Sequence, residues 1–201
     1  MMNGPYLQDL AGLGVNPDHV DYVLCTHLHL DHVGWNTQLV DGKWQPTFPN
    51  AKYLFAKKEW EFWKSEYESG AEHAADGGSI ADSVIPIVEA NKAVLVDEDH
   101  AIDDQLYLSP SPGHTPGHVC LNLESNGRRA VMTGDMMHHP VQCSEPEWSS
   151  GFCVDPVASA SMRRQFLEQH CDQDILVLAA HFLAPSGGRI VPQGKTWKLQ
   201  V

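Results

Sequence analysis

Val23-Leu24-Cys25-Thr26-His27-Leu28-His29-Leu30-Asp31-His32 is the stretch on which the reading of this chain turns. An apolar run leads straight into seven positions that hold three histidines and one carboxylate. An apolar run of this kind reads as a buried strand, so the polar cluster falls at its end, where imidazoles and a carboxylate crowd into one small volume. Neutral imidazole is the commonest side-chain metal ligand, and a nearby carboxylate adds a hard oxygen donor.

Matching candidates recur at later turns. His114 lies in Ser111-Pro112-Gly113-His114-Thr115-Pro116-Gly117-His118. Asp135 ends Val131-Met132-Thr133-Gly134-Asp135, and His181 follows Val177-Leu178-Ala179-Ala180. Ligands at the ends of successive strands can converge on one edge of a sheet. Seven such groups suit two metal ions, because a single zinc needs only three or four.

The set His27-x-His29-x-Asp31-His32, then His114, Asp135 and His181, resembles the metallo-β-lactamase-fold hydrolase superfamily, and it spans most of the chain. Within it the chain resembles the branch of N-acyl homoserine lactonases and methyl-parathion-hydrolase-like enzymes. The resemblance implies an α/β fold, an αβ/βα sandwich with the site at strand ends. It also implies a ligand assignment. His27, His29 and His114 would hold one ion, Asp31, His32 and His181 the other, and Asp135 would bridge them. Aspartate at 135, where the true β-lactamases carry cysteine, argues against β-lactam hydrolysis.

The cofactors implied are two divalent ions, zinc first, with iron, manganese or cobalt acceptable to the same nitrogen and carboxylate donors. Two cations ~3.5–4 Å apart share a bridging water and bring its pKa toward neutrality. The resulting hydroxide would attack a small ester, lactone or organophosphate. Asp31 is expected to hold a metal and relay a proton. In the lactonases that the chain resembles, a tyrosine lies three residues after the bridging aspartate. Here that position is His138, read either as a hydrogen-bond donor to a substrate oxygen or as a side chain that covers the site. His118 reads as a supporting residue, not a ligand. The far nitrogen of each ligand histidine is expected to find a backbone partner.

With 201 residues the chain reads as one domain, 1–201. The net charge of −13 weighs against nucleic acid as a partner, since phosphate binding wants a basic stripe. A small-molecule substrate fits instead. The opening Met1-Met2-Asn3-Gly4-Pro5 lacks the features of a secretory leader, and no apolar run is long enough for a membrane span. Cys25, Cys120, Cys143, Cys153 and Cys171 are odd in number and lack Cys-x-x-Cys spacing, which fits reduced thiols and a cytoplasmic location.

Patterning predicts helices over Tyr6–Leu13, Lys57–Glu68, Ile80–Val88 and Pro156–His170, the last with Asp155 as N-cap and Pro156 at its first position. Strands are predicted over Asp21–Thr26, Lys52–Ala56, Ala93–Val96, Leu106–Ser109, Val119–Glu124, Arg129–Thr133 and Ile175–Ala179. Asn126-Gly127 marks a hairpin, and Arg189–Val191 with Thr196–Leu199 a terminal one. Trp35 to Asn50 and Ala71–Gly78 read as loops. Trp60, Trp63 and Tyr67 form a helical stripe read as core. Trp35, Trp148, Phe152 and Phe182 are candidates for an apolar pocket wall, and Gln142–Phe152 for a lid.

Members of the superfamily usually carry several strands before the first ligand motif, whereas only 26 residues precede His27. The chain therefore reads as short at its N-terminus, with first-sheet strands missing. An uncovered sheet edge predicts a homo-oligomer or reduced stability.

Two further enzymatic readings and one non-catalytic reading share the motif set. A thioesterase like glyoxalase II would need a basic C-terminal helical domain, and the chain ends 20 residues after His181. A persulfide dioxygenase would use one iron. A truncated relative would bind metal without turnover.

Overall fold

The computed structural model describes residues 4–70 and 78–201. All but the last residue of the Ala71–Gly78 loop expectation, including His73, lies outside them. The first strand, β1 (Tyr22–Leu24), pairs in parallel with β4 (Lys52–Ala56), which pairs in parallel with β5 (Ala93–Val96). A second sheet holds six strands: β6 (Leu106–Pro110), β7 (Val119–Ser125), β8 (Arg128–Met132), β9 (Ile175–Leu178), β10 (Gly187–Gln193) and β11 (Thr196–Gln200). They lie side by side in the order β11-β10-β9-β8-β7-β6, antiparallel throughout except where β8 runs parallel to β9.

That parallel pair requires a crossover, which α6 (Pro156–His170) provides. Pro156 sits at its first turn, and the Asp155 side chain accepts hydrogen bonds from the Val157 and Ala158 amides at 3.0 and 2.9 Å. Phe166 and Leu167 of α6 bury against Cys120, Val131, Val177 and Ile190 of the sheet. Each such side chain removed from water contributes roughly 1.5–3 kcal/mol. On the opposite side, the three-stranded sheet is covered by α3 (Lys57–Ser69) and α4 (Ile85–Glu89), with Tyr53, Phe55, Trp63 and Ile87 in the core.

Between the sheets, Leu24, Leu54, Ala56 and Val96 meet Leu108, Val119 and Leu121. The layers are therefore helix, sheet, sheet, helix, as the resemblance implied. Further along the same strand faces the apolar layer opens. Tyr22, Val94, Met132 and Leu176 are 48, 37, 42 and 39% exposed.

Several local expectations need correction. Trp35 to Asn50 is not a loop throughout. It holds the hairpin β2 (Thr37–Val40) and β3 (Lys43–Pro46). Asp41 and Gly42 both take positive φ, 50° and 75°, the conformation that a two-residue hairpin turn demands. Turn residues dominate this stretch and mask the alternation around them. The predicted helix over Ile80–Val88 begins as a wide π turn, Ile80–Val84, before α4. Asn126-Gly127 does join β7 to β8, again with both residues at positive φ. Trp63 is core and Trp60 packs beside it, whereas Tyr67 is exposed. Among the described residues no helix is long and apolar enough to cross a membrane. The five cysteines are free thiols.

Candidate metal centre

Each ligand candidate sits just past a strand of one sheet or the other. β1 runs into Thr26 and His27, and the Thr26 carbonyl accepts from the Val119 amide at 3.0 Å, which stitches this loop to the start of β7. A short helix, α2 (Leu30–Val33), then carries Asp31 and His32. The β6–β7 connection carries His114 and His118, the turn after β8 carries Asp135 and His138, and the turn after β9 carries His181. Because β8 and β9 are parallel, Asp135 and His181 emerge at the same sheet edge.

The glycines of Pro112-Gly113-His114-Thr115-Pro116-Gly117-His118 have a steric reason. A Cβ on Gly113, at φ +130°, would stand 2.2 Å from the Ser159 amide nitrogen in α6. One on Gly117 would stand 2.1 Å from that of Glu59 in α3. The His114 loop is thus pressed between the first turns of two helices, where only glycine fits.

All seven predicted ligands come together in two groups. His27, His29, His114 and Asp135 form one, entirely buried; Asp31, His32, Asp135 and His181 form the other, open to solvent at Asp31 and His181. In the buried group, His27 Nε2 lies 3.1 Å from His29 Nδ1 and 3.2 Å from His114 Nε2, and the latter two are 2.9 Å apart. Asp135 Oδ2 stands 3.4 Å from His114 Nε2 and 3.8 Å from His27 Nε2. In the open group, His32 Nε2 lies 2.9 Å from Asp135 Oδ1, and His181 Nε2 lies 3.0 Å from Asp135 Oδ2 and 3.3 Å from Asp31 Oδ2.

The donor set fits divalent cations. Nitrogens held ~2.0–2.1 Å from a tetrahedral zinc lie about 3.3 Å from one another, close to the spacings here. Burial pushes His27 well below its ordinary pKa, His29 to about 4 and His114 to about 2, so all three present the neutral, ligating form. His32 behaves differently. Burial lowers it, but the Asp135 and Asp31 carboxylates outweigh burial and hold it at about 9. A cation bound there would take the place of that proton. Burial raises Asp135, yet hydrogen bonds from His138 and His32 bring its carboxyl well below the usual carboxylate range. Buried His32 Nε2 and Asp135 Oδ1 face each other at 2.9 Å, and a cation seated beside them would satisfy both in place of the proton.

For His27 and His114 the supporting contact is a side chain, not the expected backbone group. His27 Nδ1 lies 3.2 Å from Thr26 Oγ1, and His114 Nδ1 lies 3.6 Å from Cys153 Sγ. His118 is fully buried, as a supporting residue should be. Its Nε2 accepts from the Asp135 amide at 3.1 Å, which fixes the tautomer with Nδ1 donating to Ser111 Oγ at 2.7 Å.

His138 Nε2 approaches Asp135 Oδ2 to 3.3 Å, and its ring stacks on His181 at 15°. Phe182 joins the core instead of a pocket wall, whereas Trp148 and Phe152 are exposed and Trp35 packs against Tyr6. The lid expectation for Gln142–Phe152 meets a tether. Fully buried Arg163 of α6 donates to the Pro146, Met136 and Trp148 carbonyls at 2.8, 2.8 and 3.2 Å. Sequence reasoning missed Arg163 and also Glu59, a carboxylate buried on α3. The signal for Glu59 was its place four residues before Trp63, on one helix face.

A family model described as the metallo-beta-lactamase superfamily matches residues 3–181. The chain belongs to that superfamily. Similar proteins include the N-acyl homoserine lactonase AttM of Rhizobium radiobacter, 29% identical over an alignment of 183 residues that covers 87% of this chain and 63% of AttM. An N-acyl homoserine lactonase of Bacillus sp is 25% identical over 61% of this chain and 40% of its own length. Among solved metallo-beta-lactamase structures, the hydrolase AbOPH superposes with a TM-score of 0.83 at 25% identity, over 98% of this chain and 69% of its own. AidC, a dizinc quorum-quenching lactonase, does so with a TM-score of 0.82 at 21% identity, over 98% and 69%. The chain spans less than two thirds of the length of these curated relatives.

Proposed function

We propose that this chain is a metal-dependent hydrolase that opens small esters, lactones or organophosphates at a two-cation centre, with zinc as the first candidate metal. The observation that carries the reading is the pairing of two donor groups through one shared carboxylate, Asp135. A mononuclear dioxygenase would load one ion per chain, which metal counting distinguishes. The lactonase names of the relatives favour a lactone within this range.

When bound, the cation pair supplies Lewis acidity and brings the pKa of water toward neutrality. The chain's own residues do the rest. His27, His29 and His114 would hold the inner cation, His32, Asp31 and His181 the outer one, and Asp135 would touch both. The inner group is buried and the outer one is exposed at Asp31 and His181, so substrate approaches from the outer side. His138, whose Nε2 stands 3.3 Å from Asp135 Oδ2 beside the shared carboxylate, is the proposed hydrogen-bond donor to a substrate oxygen. The Asp31 carboxylate, held low chiefly by its hydrogen bond with His32, is exposed, and as a base it can take the proton that the attacking water gives up and pass it on to the leaving oxygen. Hydrolysis of a lactone adds one water across the acyl C–O bond and leaves a hydroxyl, a carboxylate and one proton released to solvent. The net charge of −13 favours a neutral substrate over nucleic acid. We also propose that self-association covers the exposed apolar residues between the sheets.

Zinc quantification coupled to a panel of lactone, aryl ester, thioester and phosphotriester substrates tests the reading. Two ions per chain and turnover of a lactone or ester, lost in His29→Ala, are expected. One ion per chain, or turnover unaffected by that substitution, overturns it.

A further inference from the structure

Two loops must be held at a set spacing for His27, His29 and His114 to meet, and one side chain touches both. Glu59, in the first turn of α3, is 1% exposed. Its Oε1 accepts from the Leu28 amide at 2.9 Å, the peptide nitrogen between His27 and His29. Its Oε2 accepts from the Gly117 amide at 3.0 Å, three residues after His114. Trp63 Nε1, one turn along the same helix, donates to Oε1 at 2.8 Å, and the Trp63 ring meets that of His29 edge-on with centroids 5.3 Å apart. Every donor named here is an N–H, which suits a carboxylate and not an amide or an acid.

We infer that Glu59 is a positioning residue that clamps the His27–His29 loop to the His114 loop and so builds the inner metal site. The inference rests on the two-cation reading proposed above. The close approach at Gly117 supports it, since the loop backbone reaches Glu59 only because no Cβ intervenes. Among the described residues, the hydrogen bonds of Glu59 reach the His27–His29 and His114 loops and Trp63, not the outer donors Asp31, His32 and His181. The clamp therefore acts on one site of the two. A glutamate that merely fills the core acts on neither, or on overall stability alone.

The test is zinc titration of the full chain against a chromophoric chelator, with circular dichroism and thermal melting alongside. Glu59→Gln keeps the shape but turns one oxygen into an N–H donor facing another donor. The expected result is a folded protein whose one zinc weakens about 10–100-fold, the range for losing a group that orients a metal ligand, while the other changes less than about threefold. Two zincs bound as tightly as in the wild type, or both weakened equally, overturns the inference. Should Glu59→Gln fail to fold, Gly117→Ala keeps the carboxylate and displaces the loop. The same one-sided weakening is expected, and unchanged affinity at both sites overturns the clamp. A wild-type chain that binds no zinc overturns the metal reading itself, and the clamp with it.

Discussion

Asp135 and His181 lie 3.0 Å apart, Oδ2 to Nε2, although 46 residues separate them in the chain. The contact exists because β8 and β9 run parallel and end at one edge. The same oxygen faces His114, so one carboxylate serves both donor groups. Asp135→Ala removes the only donor common to the two groups. Zinc content is expected to fall below two per chain and turnover to fall more than about 100-fold, beyond the 10–100-fold typical of outer partners. Full activity with two zincs bound rules out the shared role.

His138 tests the substrate contact separately from the metal. His138→Phe keeps an aromatic ring over His181 and removes both nitrogens. A hydrogen bond to an oxygen that gains charge contributes about 1.5–3 kcal/mol, so kcat should drop roughly 10–100-fold while zinc content stays at two. Loss of a zinc instead would make His138 a ligand.

Arg163 anchors the segment after Asp135. Its guanidinium is buried and gives its hydrogen bonds to carbonyls and to the hydroxyls of Ser159 and Ser149. Arg163→Met leaves those acceptors buried without donors, at about 1–3 kcal/mol for each one that water cannot reach. Chemical denaturation should show a loss of about 3 kcal/mol or more. A variant as stable as the parent would mean that the segment does not depend on this tether.

The exposed Tyr22, Val94, Met132 and Leu176 make the association state measurable. Sedimentation should show mass rising with concentration, and Met132→Lys should shift the balance toward monomer. A monodisperse monomer with an ordinary cooperative melt rules out self-association through this face.

The candidate metal ligands were legible in the sequence because histidine and aspartate clusters directly after apolar runs are rare and strands project their ends to one edge. Thr26–His32, His114, Asp135 and His181 needed no tertiary information. Hairpins were legible where a turn pair stood between clear strands, as at Asn126-Gly127, and were lost at Asp41-Gly42, where Pro46 and Pro49 crowd the flanks. Glu59 and Arg163 were invisible for a different reason. A charged side chain on a helix reads as solvent-facing, and only the long-range approach of Leu28, Gly117 and Pro146 buries it. Gly113 and Gly117 show the converse. Their neighbours in space, Ser159 and Glu59, lie far away in the chain.

The donors enter from both sheets, so a cation seated among them laces the two halves of the polypeptide together. Only the native chain gathers them, and free zinc at 100 times its dissociation constant would deepen the native well by about 2.7 kcal/mol. A chelator would then act as a selective denaturant, and metal occupancy would become a reporter of whether the whole molecule has reached its native arrangement.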